Sequence, residues 1–428
     1  MRRSRLCVGV ACLLISGRAW GQSSVDDEAP VAGYSPADPG PTVVTAGYVD
    51  MGFADVQGNG SSFAPGDTRV PADYGVDAFA TAVNSRGDVA STEVNADTNG
   101  FLPRSLGIGG RPSLFLSTVS TDLRASSASG KYLLFVRAQA FPRFTGAGDQ
   151  TQVLIEQAFA RFVPFASQEM ALTVGKADSV FGIEYLENQA NLRTGITPSL
   201  VARYTTGTQL GAKLFYRVQL PSLWSAFSLN VAATNGPAMV DALQTQAVSL
   251  SGRPVLSGRV GYELNLPHFQ IKLGGSTLVG PRNDQFNPKT QMRLWGADAR
   301  LYVAGLLLLG EYVDVQEDEG GPAQKLTPQG PALFASGFRA RGFWAQASYA
   351  LPWSWGWLER ATPYVRVGYR RARFEGFPEI EVARLTAGLR LDFVESVALK
   401  GEWLLNQERS GAPTVDNDVR ALSLVLSW

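Results

Sequence analysis

A two-residue alternation over residues 380–428 limits more than any other feature what this chain can become. Leu385, Ala387, Leu389, Leu391 and Phe393 take one set of positions, and Arg384, Thr386, Gly388, Arg390 and Asp392 take the other. The pattern restarts over 398–406, with Leu399, Gly401, Trp403 and Leu405 opposed to Lys400, Glu402, Leu404 and Asn406. It returns once more at Leu422, Leu424, Leu426 and Trp428, against Ala421, Ser423, Val425 and Ser427. A period of two sends successive side chains to opposite faces of β-strands. A secreted sandwich would turn the apolar face inward, whereas a membrane barrel turns it out to lipid. The aromatic at the last position favours the barrel, where interfacial aromatics form girdles and the final strand closes on the first.

The N-terminus reads as an export signal, residues 1–21. Arg2, Arg3 and Arg5 precede an apolar run over 6–15, and Ala19 and Gly21 stand at signal-peptidase spacing. Cys12 admits a lipoprotein alternative, but Gly9 and Val10 make a poor recognition site before it. Both cysteines fall in this leader, so the exported chain is expected to carry no thiol and no soft metal ligand. Past the leader no stretch approaches the roughly 20 apolar residues of a membrane helix. Crossing a bilayer therefore falls to strands, whose signal is diluted because only every second residue faces lipid. The 45 glycines and 10% aromatic content suit many strands joined by turns. Residues 22–41 read as a short periplasmic lead-in, and 42–428 as one barrel.

Strands are expected at 43–54, 114–125, 132–144, 153–162, 170–176, 209–218, 227–234, 255–264, 269–278, 291–303, 306–315, 341–351 and 364–374, before the three C-terminal ones. Long connections such as 55–111, 178–208, 235–254 and 316–340 alternate with short turns at 166–169, 265–268, 304–305 and 394–396. Short turns belong on the periplasmic side of such barrels and long loops outside. That parity holds only if 198–206 is not a strand, which leaves 16 strands in a closed antiparallel transmembrane β-barrel. A barrel of this size encloses an aqueous channel. Segment 178–208 is the candidate to fold inward and narrow it; the alternative is one more surface loop.

The alternation also nominates the residues that line the lumen. Basic positions on that face are Arg124, Arg137, Arg143, Arg161, Lys213, Arg217, Arg259, Lys272, Arg300, Arg366, Arg370, Arg384, Arg390 and Lys400. The acidic positions, Asp122, Asp298, Glu311, Asp392 and Glu402, are fewer, although the whole chain is formally neutral. A basic excess around a narrow tube raises the local concentration of anions, so an anion preference is expected. The opposing expectation is that some of these arginines pair with loop carboxylates and merely brace the wall. Glu184, Glu187, Arg193 and Arg203 in the inserted loop are expected to set the size and sign of the narrowest point.

Enzymatic readings have little to stand on, and no cofactor is expected. The only histidine, His268, sits beside Pro267 in an expected turn, out of reach of any serine nucleophile. The GIGG at 107–110 lacks both the preceding strand and the following helix of a phosphate-binding loop.

Three stretches, VGKADSVFGIEY, WGADARLYVAGLLLLGEYV and the closing LKGEWLLNQERSGAPTVDNDVRALSLVLSW, resemble the phosphate-selective porin family of the O and P type. The resemblance implies a 16-stranded homotrimer in the bacterial outer membrane, embedded in lipid and lipopolysaccharide, with a third loop folded into an anion-conducting pore. In that family a basic ladder leads to a lysine-rich constriction. Arg137, Arg217, Arg259 and Arg366 match the ladder, but the inserted loop offers Arg193 and Arg203 and no lysine. The expected function is passive diffusion of small hydrophilic solutes, with phosphate or organic anions preferred. The alternatives are a sealed structural or adhesin-type barrel, and a binding-type uptake channel for an organic acid or sugar phosphate.

Overall fold

The structure, a computed structural model, describes residues 41–56, 113–145, 148–165, 169–220, 223–237, 249, 251–282, 289–318, 338–352, 355–374, 379–409 and 418–428. The expected signal peptide 1–21, nearly all of the lead-in 22–41 and of the first long loop 55–111 lie outside the described residues.

The strands are β1 (Thr42–Val56), β2 (Ser113–Ser126), β3 (Tyr132–Thr145), β4 (Gly148–Phe162), β5 (Met170–Asp178), β6 (Thr208–Leu220), β7 (Ser225–Thr234) and β8 (Val255–Leu266). They continue as β9 (Phe269–Pro281), β10 (Gln291–Val303), β11 (Leu306–Glu317), β12 (Phe338–Tyr349), β13 (Leu358–Phe374), β14 (Ile380–Phe393), β15 (Val397–Glu408) and β16 (Val419–Ser427). Each pairs with its sequence neighbours, and β16 pairs antiparallel with β1, so the sheet closes into the expected 16-stranded barrel. Segment 198–206 is indeed no strand: it holds a short helix, α1 (Ala202–Thr205).

The two faces match the alternation. Leu134, Val136, Leu172, Val174, Val260, Leu273, Val365, Val367, Leu385, Leu389 and Leu422 stand exposed on the outside. One position away, Arg137, Thr173, Arg259, Arg366, Arg384 and Ser423 are buried inside. A soluble protein does not expose a continuous apolar surface of this extent. In hydrocarbon, every backbone N–H and C=O must be paired internally, which a closed ring of strands achieves. Even the shortest strands, nine residues in β5 and β16, reach the roughly 9–11 residues a tilted strand needs to span. The chain is an integral β-barrel of the outer membrane.

At the closing seam the backbones of Gly47 and Trp428 exchange hydrogen bonds of 3.2 and 3.1 Å. A Cβ on Gly47 would run into the Trp428 indole, so only glycine lets the terminal aromatic lie flat on the first strand. Between β10 and β11, Ala304 and Gly305 both have positive φ, 48° and 87°. That is the two-residue turn whose twist suits a hairpin.

One part of the inside departs from the polar rule. Val255, Leu278, Met292, Leu294, Leu307, Leu309, Val313, Val315, Ala340, Trp344 and Ala372, from β8 to β13, form an apolar cluster within the barrel. Leu306, Leu307, Leu308 and Leu309 are apolar on both faces because both faces are covered, one by lipid and one by protein.

Candidate functional site in the barrel lumen

The covering protein is the β5–β6 connection. Its root is closed by a backbone hydrogen bond from Ser179 to Gly207, 3.1 Å, which extends the β5–β6 ladder. From there the segment turns into the barrel. Phe181, Val201 and Tyr204 join the apolar cluster just described, with Phe181 and Val201 fully buried.

The root is also hydrogen-bonded to the wall. The N–H of Gly182 donates to Ser276 Oγ on β9 at 3.0 Å. The N–H of Glu184 donates to Glu311 Oε2 on β11 at 3.3 Å, and Trp344 Nε1 on β12 reaches the same oxygen at 3.4 Å. Gly182 has φ +75°, and a Cβ there would collide with the Glu311 carboxylate. A short 3-10 turn, Glu184–Glu187, follows.

The tip crosses to the far wall. Gln189 Oε1 accepts from Tyr48 Oη at 2.9 Å and from Gln139 Nε2 at 3.0 Å, while its own Nε2 donates to Glu156 at 3.2 Å. Beyond it the carbonyls of a tight turn point at two cations. Lys400 Nζ donates to the carbonyls of Ala190, Arg193 and Gly195, the last two at 2.7 and 3.1 Å. The Arg390 guanidinium donates to those of Asn191, Leu192 and Arg193, at 3.0, 3.4 and 2.9 Å. Glu402 Oε2 accepts the Thr197 N–H at 2.9 Å and Arg366 donates to Thr197 Oγ1 at 3.0 Å. With partners on β1, β3, β4, β9, β11, β12, β13, β14 and β15, the loop spans the lumen rather than lying on its rim.

The wall charges are more paired than their one-dimensional pattern implies. Arg137 grips Asp122 with two bonds, 2.7 and 2.6 Å, and Arg259 grips Asp298 at 3.0 and 2.7 Å. Arg217 donates to Glu263 at 2.9 Å, with Lys272 3.6 Å from the same carboxylate. Arg366 lies 3.6 Å from Glu402, and Arg390 donates to Asp392 at 2.7 Å. Arg384 donates to Asn406 at 2.9 Å, and Lys213 to the carbonyl of Asp178 at 3.0 Å. Arg161 and Arg370 are buried against the wall, whereas Arg124 and Arg300 are only half-buried. The side chains of Arg143 and Arg203 lie outside the described residues.

Among the described residues, the inward carboxylates missing from the sequence-based set include Asp50, Glu156, Glu263 and Glu317. Asp50 and Glu263 share the alternate positions of Tyr48 and Arg259, so continuing the alternation finds them. Glu317 lies two residues past the expected end of β11. Glu156 could not be found that way. The register slips between Arg137 and Ala138, and this bulge buries Glu156 and Gln157 together inside.

The four loop residues expected at the narrowest point divide by role. Glu184 is buried and accepts the Ser199 N–H at 2.7 Å and its hydroxyl at 2.5 Å. Burial raises its pKa against the effect of these bonds. Arg193 is buried, donates to the carbonyl of Ile196 at 2.5 Å, and has its pKa lowered by burial. Glu187 is half-exposed and opens onto a cavity of about 430 Å³ that also meets Arg259, Lys272, Asp298 and Arg300. A second space of about 300 Å³ shares Arg259 and Lys272 and adds Arg217 and Glu263.

This fold is similar to that of several solved outer-membrane proteins. They include Salmonella typhi OmpF (TM-score 0.54, 10% identity, 91% of this chain and 98% of that one) and the channel DcaP of Acinetobacter baumannii (0.52, 12%, 93% and 100%). A third is an anion-selective porin from Comamonas acidovorans (0.50, 12%, 91% and 100%). At such identities the likeness is one of fold. Neither a protein-family model nor a curated protein matches the sequence. Of the family expected from the three sequence stretches, what the neighbours support is its 16-stranded porin barrel.

Proposed function

We propose that this barrel is a passive channel for small hydrophilic solutes and that the crossing loop sets its bore. The observation that carries the reading is a charged, half-exposed vestibule beside the loop, walled by Glu187, Arg217, Glu263, Lys272 and Arg300. A sealed structural barrel has no use for charge of this kind, since an ion facing enclosed space is costly unless water hydrates it. The porin fold of its structural neighbours supports the same reading.

Selectivity in this reading is a weak preference for small anions, phosphate or organic. Paired arginines present little net field, and the vestibule sets four cations against four carboxylates, so the preference rests on how they pair: Lys272 shares Glu263 with Arg217, and Arg300 has no carboxylate partner among the described residues. In planar bilayers the protein should conduct, and its reversal potential in a salt gradient should lie on the anion side by less than a fully basic lumen would give. Arg300→Glu should shift that potential toward cations and Glu187→Gln away from them. No conductance would refute the channel; a reversal potential on the cation side would refute the selectivity.

A further inference from the structure

The outer surface carries a feature that conduction does not use. Where β10 to β13 approach the long-loop rim, the outward side chains fall in three rows set by strand register. The row nearest the membrane centre is aromatic: Tyr312 opposes Phe343, which opposes Tyr369, with the Phe343 and Tyr369 rings 5.9 Å apart. Such residues mark the boundary between hydrocarbon and headgroups. One step outward, about 7 Å along the strands, Asp314, Arg341, Arg371 and Glu381 stand side by side, signs balanced. Arg371 is held there by Glu379 and Glu381.

The outermost row is not balanced. Arg339 of β12 lies directly opposite Arg373 of β13, both exposed, and the neighbour of Arg339 on β11 is the neutral Gln316. Like charges directly opposite across a strand pair are about 5 Å apart and destabilise it. Elsewhere on this rim opposite signs meet: Arg293 lies 3.7 Å from Asp318, and Asp55 of β1 faces Arg420 of β16. Among the described residues neither Arg339 nor Arg373 has a carboxylate partner.

We propose that Arg339 and Arg373, with Arg341 beneath them, form a binding site for a phosphate of the bisphosphorylated glycolipid headgroup in the outer leaflet, lipid A. Two guanidinium groups offer forked donors matched to phosphate oxygens, and a phosphate monoester carries enough negative charge to offset both. The site lies one to two rows beyond the aromatic girdle, where headgroup phosphates lie and where acyl chains would run down over Phe343 and Tyr369. Basic clusters at membrane surfaces recognise anionic headgroups by the same attraction.

The test uses the full-length protein extracted in mild detergent from lipopolysaccharide-bearing membranes, with co-purified lipid A measured by mass spectrometry. R339Q/R373Q should lose most of the lipid A that the wild type retains, and R420Q should lose none. In a second measurement, bisphosphoryl lipid A added to wild-type protein in phosphatidylethanolamine vesicles should raise the unfolding midpoint, and dephosphorylated lipid A should not. This arm needs no variant to fold. Equal retention by wild type and R339Q/R373Q would overturn the proposal, as would equal stabilisation by the two lipids. A double variant that changes only the oligomeric state would reassign the patch to a contact between copies of this chain.

Discussion

The root and the tip of the crossing loop are held by different physics. Phe181, Val201 and Tyr204 at the root lose themselves in an apolar cluster with β8 to β13. Residues 189–197 at the tip pack Ala190 into a small apolar cluster with Tyr48, Ala398 and Val425, but they hang mainly on Gln189, Lys400, Arg390 and Glu402. Burial is strong but non-directional, so the root is tethered firmly without specifying where the far end goes. Charge-assisted hydrogen bonds are directional, so the tip is aimed by a few atoms. A loop that sets a bore needs both, and each can be broken alone.

The largest effect is expected at the root. Phe181→Ala removes a fully buried ring, a change that costs about 3–5 kcal/mol in a packed core. The loop should leave the lumen and single-channel conductance should rise several-fold; unchanged conductance would mean the tip alone suffices. Lys400→Met comes next. It takes the donor from three loop carbonyls that share one ammonium, while Arg390 and Glu402 still hold the tip. With the root still docked, the conductance should rise less than in Phe181→Ala, while open-channel noise increases.

Glu184 lies between the two regions and should give the smallest effect. Burial raises its pKa, so its ionised form is the disfavoured one in the docked loop. Its contribution to docking is complete below the ordinary carboxylate pKa and is lost as pH rises through the raised value. Current noise should therefore grow from acid to neutral pH. In Glu184→Gln, which cannot ionise, the noise should stay at its acid level. A pH dependence that survives the substitution would assign it to another group.

Much of the architecture was legible in the chain. Every strand and the parity that rejects 198–206 follow from alternation and turn residues; the inward course of 178–208 was one of two expectations, favoured because a 16-stranded lumen needs narrowing. The site was legible only in part. Lys400 and Arg390 were placed correctly on the inner face, yet their alternation says nothing of the loop carbonyls they hold some two hundred residues away in the chain. Glu156 was hidden because a bulge breaks the very period used to find it.

Away from the β4 bulge, sidedness is what the sequence determines alone, because in a regular strand the face a side chain takes depends only on its position along that strand. Pairing belongs to the tertiary structure. Arg137 meets Asp122 and Arg259 meets Asp298 because strand register brings them together, and for side chains buried against the wall a charge at contact outweighs any count of charges along the chain.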